Sequence, residues 1–192
     1  RDGEFMTLDH LLRKMQADDL MIWNEREPVA IAGVMGGANT EVTPQTKRLL
    51  LESANFKGSR IRRTAMRLNL RSEASQRFEK NQPPRNTEIG IGRFLHLLNE
   101  AGNEPEILSR LTVAGDTQDQ MRRIELGESF FNKRVGKVIS RERVSAILHS
   151  LGFTLEYRGE QMVVGVPPFR SVNDISIPED IVEEVSRVYG FG

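Results

Sequence analysis

Four carboxylates near the end of the chain have the sharpest spacing in the sequence. Asp180, Glu183 and Glu184 stand at i, i+3 and i+4, which on a helix sets their side chains on one face, and Asp174 precedes them in a loop. Oxygen donors of this kind suit a hard cation such as magnesium, which retains water and accepts an incomplete protein cage. They also suit an ordinary helix start. Acids in a first turn are favoured by the helix dipole, and Glu183 can pair with Arg187 four residues on.

A second constellation joins the glycine-rich Ala32-Gly33-Val34-Met35-Gly36-Gly37 to Glu52. Glycines let a ligand approach the backbone, and a buried carboxylate can accept a hydrogen bond from a ligand hydroxyl. The competing reading is a hairpin turn, with Glu52 satisfied by an arginine or the backbone. The segment has neither the Gly-Lys-Ser/Thr ending of a P-loop nor the spacing of a dinucleotide fingerprint. A third is basic: Arg60, Arg63 and Arg67 form a helical stripe, with Arg62 beside them and Arg71 and Arg77 just beyond. Such a face can hold phosphates, or it can be solvated or paired within the molecule. No aromatic residues interleave it for base stacking. His10, His96 and His149 are mutually isolated, so zinc chemistry and a nucleophile elbow have no support.

The elements that must position these groups fall into two modules, residues 1–115 and 116–192, divided at the polar, glycine-bearing Ala114 to Gln120. In the first, Phe5–Leu8 and Leu20–Trp23 are short strands of a meander. Val29–Met35 and Arg48–Ala54 are nearly continuous apolar runs that fit strands buried on both faces. Ser59 is placed to cap a helix whose inner stripe is Ile61, Ala65 and Leu68. Arg71–Lys80 lacks periodicity and fits an ordered loop; Ile89–Leu98 fits a second helix stopped by Gly102; a strand near Glu106–Val113 follows.

In the second module Ile124–Leu126 is a strand and Glu128–Val135 a helix stopped by Gly136. Ser140 caps a helix carrying Val144, Ile147, Leu148 and Leu151, with Gly152 at its left-handed end. Phe153–Tyr157 and Gln161–Val166 flank Arg158-Gly159-Glu160 as a hairpin. A closing helix starts at Pro178 and buries Ile181, Val185 and Val188. The fold class expected is α+β, the second module winged-helix-like. Lysine plus arginine equals aspartate plus glutamate, 27 each, so no whole-chain field draws in a polyanion. Absence of cysteine and of any long apolar run fits a cytoplasmic setting.

Three blocks in order, Ala32–Gly37 (AGVMGG), Leu70–Glu79 (LRSEASQRFE) and Asp180–Gly190 (DIVEEVSRVYG), resemble the β subunit of bacterial phenylalanyl-tRNA synthetases. The resemblance runs from the Thr7-Leu8-Asp9 turn to Tyr189-Gly190. It implies the C-terminal part of a mixed α/β editing (B3/B4) domain followed by a B5 domain. It further implies an α2β2 parent enzyme that uses ATP and magnesium to join phenylalanine to its tRNA(Phe), with aminoacylation in the α subunit. The editing domain of such enzymes hydrolyses tyrosyl-tRNA. By the resemblance Glu52 reads the tyrosine hydroxyl, Ala32 and Gly33 leave room for the ring, and Ala74 lines the pocket. Arg60, Arg63, Arg67 and Arg71 are tRNA-contact candidates. Asp174, Asp180, Glu183 and Glu184 match carboxylates that share a structural magnesium ion with the α subunit, while ATP is used by the parent and not bound here.

Two departures qualify this. The family's upstream threonine-asparagine pair and histidine of the editing pocket precede Arg1, so the chain by itself is expected not to deacylate tyrosyl-tRNA at a useful rate. After Phe78-Glu79-Lys80 the family continues with glycine, valine, aspartate and proline, whereas Asn81-Gln82-Pro83-Pro84 stand here. The alternatives from other classes are a non-catalytic RNA- or DNA-binding module using the Arg60–Arg71 face, and an adaptor docking through its acidic last helix.

Overall fold

The computed structural model describes residues 3–115, 121–170 and 174–190. The chain divides into two compact units, Arg1–Thr117 and Gln118–Gly192. Among the described residues it is mixed α/β, with three small antiparallel sheets and six α-helices. Most of the boundary segment expected at Ala114–Gln120 lies outside the described residues.

In the first unit, strands β1 (Gly3–Met6) and β2 (Leu12–Met15) pair as a hairpin. Its turn is organised by fully buried Thr7, whose hydroxyl lies 2.5 Å from Asp9 Oδ1 and accepts from Arg13 Nε at 3.0 Å. Thr7 also bridges to Gly37, joining the hairpin to a second sheet. That sheet has the order β3 (Met21–Trp23), β4 (Pro28–Ile31), β5 (Met35–Gly36). The apolar run Val29–Met35 is therefore not one strand. Ala32-Gly33-Val34 turns it back on itself, with Gly33 at φ +64° and the Val34 amide donating to the Ile31 carbonyl at 3.0 Å. Only glycine takes that dihedral without strain, and the turn overrides the propensity of the flanking residues.

Helix α1 (Gly58–Arg67) buries Ile61, Thr64 and Ala65, with Leu68 packed alongside. Its N-cap is Lys57 rather than Ser59, and the helix starts at Gly58 because the Gly58 amide is taken by Asn81 Oδ1 at 3.2 Å. Asp19, its side chain 3% exposed, fixes the other end. It accepts from Thr64 Oγ1 at 2.8 Å and from the Gln16 amide at 2.7 Å, and pairs with Arg67. Arg71–Lys80, expected as a loop, contains helix α2 (Glu73–Phe78). Six residues are too few to show a 3.6-residue period, but Ser72 is a true N-cap whose hydroxyl accepts from the Ser75 amide at 3.1 Å.

Two expected strands do not form. Arg48–Ala54 has no regular structure, and its Leu50 is 98% exposed. Among the described residues, 47–54 make no hydrogen bonds, so the apolar pattern lacks the neighbouring strand that would realise it. Glu106–Val113 is likewise irregular, with Ile107, Leu108, Leu111 and Val113 exposed. Between them α3 (Asn86–Glu100) is longer than its apolar core suggested and ends before Gly102 at φ +77°.

The second unit follows the sequence closely. β6 (Arg123–Gly127) leads into α4 (Glu128–Val135), which ends on left-handed Gly136; Ser140 caps α5 (Arg141–Ser150) by accepting from the Arg143 amide at 3.3 Å. β7 (Thr154–Arg158) and β8 (Gln161–Gly165) form the hairpin, and the sheet order β6-β8-β7 puts β8 in the middle. α6 (Pro178–Tyr189) closes the unit. Phe131, Leu148, Phe153, Met162, Val164, Ile181 and Val185 make the core. Val188, expected inside, is exposed.

Candidate functional site

The turn at Gly33 and the start of α2 come together, although forty residues separate them. Ser72 Oγ donates to the Val34 carbonyl at 2.5 Å while accepting from the Ser75 amide, so one hydroxyl caps α2 and ties it to the glycine turn. Ser75 Oγ adds a bond to the Ser72 carbonyl at 2.9 Å and is buried. Ala74, half-buried, sits in this first turn. Ala32 is buried, its amide donating to the Leu20 carbonyl at 2.9 Å. Gly33 is closely surrounded. A Cβ there would lie 3.1 Å from Ile61 Cδ1 and Phe56 Cδ2 and 3.2 Å from Phe78 Cδ2, and the rings of Phe56 and Phe78 are 5.1 Å apart.

Glu52 is placed differently from the expectation. It is exposed, and among the described residues its carboxylate has neither an arginine nor a backbone donor. Partial desolvation by neighbouring atoms still pushes its pKa up. Phe56, four residues later, is where this segment reaches Gly33. Ser53 approaches α3 at Gly90, where a Cβ would come within 3.3 Å of its hydroxyl, and Asn55 bonds the Gln82 carbonyl. The polypeptide that follows Glu52 is therefore anchored at Asn55 and Phe56.

The basic stripe separates into free and engaged members. Arg60, Arg62 and Arg63 are exposed with no partner among the described residues. Arg67 is held by Asp19 and by the Lys14 carbonyl at 3.0 Å, and Arg71 lies 3.7 Å from Glu79. Phosphate contact by Arg67 would require breaking its pair with a nearly buried aspartate.

The carboxylates of the second unit do not converge. Asp180 Oδ2 accepts from the Ser176 and Ile177 amides at 2.6 and 2.9 Å, closing the N-terminus of α6. Those bonds hold its pKa down against the opposing effect of burial. Glu184, 5% exposed, is gripped by Arg170 at 2.8 and 3.1 Å and by Arg187 at 2.6 and 3.0 Å. Arg187 thus serves Glu184, not Glu183. Asp174 receives Arg170 Nε at 2.5 Å, and Glu183 is exposed, with no hydrogen bond or ion pair among the described residues beyond the longer-range attraction it exerts on Arg187. Among the described residues no cluster of three or more metal-ligating side chains exists. This donor set does not fit a magnesium ion, because Asp180 faces the backbone and Glu184 is already filled.

The family model for the B3/4 domain matches residues 1–103, and that for the tRNA synthetase B5 domain matches residues 124–191. The chain belongs to the B3/4 family. Along its whole length it is 41% identical to the phenylalanine–tRNA ligase beta subunit of Staphylococcus haemolyticus, of which it covers 24%. The corresponding proteins of Halalkalibacterium halodurans and Clostridium acetobutylicum are each 38% identical over the whole chain, which covers 23% and 24% of them. The chain thus spans about a quarter of the length of the curated relatives it matches.

Within the B3/4 segment the residue that sequence reasoning missed is Ser72. Its signal was present as a serine followed by Glu73 and three residues later by Ser75, an N-cap pattern without a long enough helix behind it. Replacing Ser72 with alanine removes the cap and the tie to Val34 together. We expect a loss of about 2 kcal/mol in chemical denaturation, at the upper end for one cap because a buried carbonyl also loses its donor. A cost near that of an exposed Ser→Ala change would show that the junction is not held by this hydroxyl.

Proposed function

We propose that this chain is the portion of a phenylalanine–tRNA ligase β subunit that helps proofread tyrosyl-tRNA and helps assemble the enzyme. The match of the whole chain to about a quarter of such subunits supports this reading, together with the Ser72-tied meeting of the Gly33 turn and the Ala74 turn. The parent enzyme joins phenylalanine to tRNA(Phe) at the expense of ATP in the cytoplasm, as an α2β2 assembly with the α subunit as partner. The editing module ends near residue 115 and the B5 module, winged-helix-like in its helices and hairpin, begins near 116.

Tyrosine differs from phenylalanine by one hydroxyl. A pocket that hydrogen-bonds that oxygen discriminates strongly, because the wrong ligand leaves a desolvated polar group unmatched. Glu52 supplies the acceptor, with Ala32, Gly33 and Ala74 providing small walls. Its exposure fits a pocket completed by polypeptide beyond these 192 residues. No step in this reading runs through magnesium.

The test is tyrosyl-tRNA hydrolysis in a polypeptide of the relatives' length. Glu52→Ala should lower kcat/KM by about 10- to 100-fold, the loss of one hydrogen bond to a charged group. Because the raised pKa belongs to an acid, the ionised acceptor disappears as pH falls, and at a higher pH than for a free glutamate. Equal hydrolysis by wild type and Glu52→Ala would remove the recognition role. A second reading, nucleic-acid binding by the exposed Arg60, Arg62 and Arg63, is favoured by their lack of partners and would show strongly salt-dependent affinity without amino-acid preference.

A further inference from the structure

We infer that the guanidinium of Arg170 is the built-in cation of the acidic group in the second unit, doing there what a divalent ion does in other carboxylate clusters. The two oxygens of Glu184 offer about four lone-pair sites, and four N–H groups point at them. Arg170 supplies two in a fork at 2.8 and 3.1 Å, and Arg187 supplies two at 2.6 and 3.0 Å. Arg170 Nε then reaches Asp174 at 2.5 Å, so one side chain cross-links the segment that follows β8 to the middle of α6. The Arg170 guanidinium also lies 5.8 Å from the Phe153 ring centroid, over a core residue.

Occupancy of Glu184, rather than net charge, is what stands against a metal. Arg170 and Arg187 neutralise Asp174 and Glu184, while Asp180 and Glu183 add two further negative charges, so a cation would be attracted here but would find Glu184 already taken. A magnesium ion would have to lose water and displace a planar fork that already matches the carboxylate in geometry. Asp180 has one oxygen, Oδ2, committed to backbone amides, which leaves a single oxygen, Oδ1, to offer in exchange. A second subunit bringing further oxygen donors gains Glu184 only by evicting Arg170. Arg170 is accordingly a positioning residue, and its signature is indifference of the second unit to divalent ions.

The experiment uses the whole 192-residue chain. Its thermal unfolding is followed in millimolar magnesium and in chelator, with manganese as a paramagnetic probe of the α6 amides. We expect the same melting temperature in both and no selective broadening at Asp180, Glu183 or Glu184. Arg170→Met should lower the melting temperature of the second unit by on the order of 10 °C. Arg170→Lys, which keeps the charge and loses the fork, should recover only part of it. A magnesium-dependent rise in the wild-type melting temperature, abolished by Glu184→Gln, would overturn the inference even if the arginine variants fail to fold. So would an Arg170→Met protein as stable as wild type.

Discussion

Gly33→Ala should unfold the first unit far more readily than its single added methyl group suggests. The φ of +64° costs an L-residue roughly 1 to 2 kcal/mol. The new Cβ also arrives 3.1 to 3.2 Å from Ile61, Phe56 and Phe78 at once, and overpacking of that kind costs about 1 to 3 kcal/mol. Together the loss is roughly 2 to 5 kcal/mol. Gly36→Ala is the internal comparison. It has no positive φ, and its added atom meets only the flexible Leu8 side chain at 3.1 Å, so its cost should be about 1 kcal/mol or less. Urea denaturation of both variants decides the matter; equal costs would show that the seat of Gly33 can relax. For the proposed editing pocket the consequence is practical. A bulky residue at Gly33 disables the pocket by damaging the fold, whereas Ala74, half-buried on α2, is the position at which added bulk tests occupancy.

Glu184→Ala should destabilise the second unit strongly. It strips Arg170, 19% exposed, of its main carboxylate, while Arg187, 46% exposed, falls back on water; breaking a buried ion pair costs about 3 to 5 kcal/mol, and this partly screened one should cost toward the lower figure. Burial alone would raise the pKa of Glu184, but hydrogen bonds and charge from Arg170 and Arg187 outweigh it and bring the value from 4.5 to about 2. The folded-state pKa is therefore the lower one, so the contribution is complete above 4.5, the value without these partners, and is lost as pH falls towards 2. In practice the stability gap between wild type and Glu184→Gln should be constant at neutral pH and close between pH 4.5 and about 2. A gap that persists at the acid end would show that the carboxylate is not held by its partners.

What the sequence made legible follows from where each signal resides. α4 and α5 were readable to the residue because their information is local: Gly136 and Ser140 mark their ends, and Val144, Ile147 and Leu148 repeat at the helical period. Arg48–Ala54 was misread for the opposite reason. Its leucines specify a strand only if another strand lies beside them, and none of the described residues provides one. Of the candidate site, the two turns that carry Ala32, Gly33 and Ala74 do meet, through Ser72 and Val34, whereas Glu52 is exposed on a segment without regular structure. The bond that joins the turns was not legible, because a serine forty residues away carries no mark of its acceptor. The acidic group failed similarly. Its spacing was correct, but Arg170 stood outside the helix pattern, so nothing announced that a cation was already supplied.

The β6-β8-β7 order sets a timetable for the second unit as well as a shape. Glu125 on β6 pairs with Val163 on β8, whereas β7 meets β8 across the two-residue corner at Gly159 and Glu160. Nothing can satisfy the inner edge of β6 until the ribosome has delivered the strand that arrives last. The hairpin is a local event closed within microseconds, and the older strand joins it afterwards at the entropic cost of a long loop. The first strand of this unit to be synthesised is the last to find its partner.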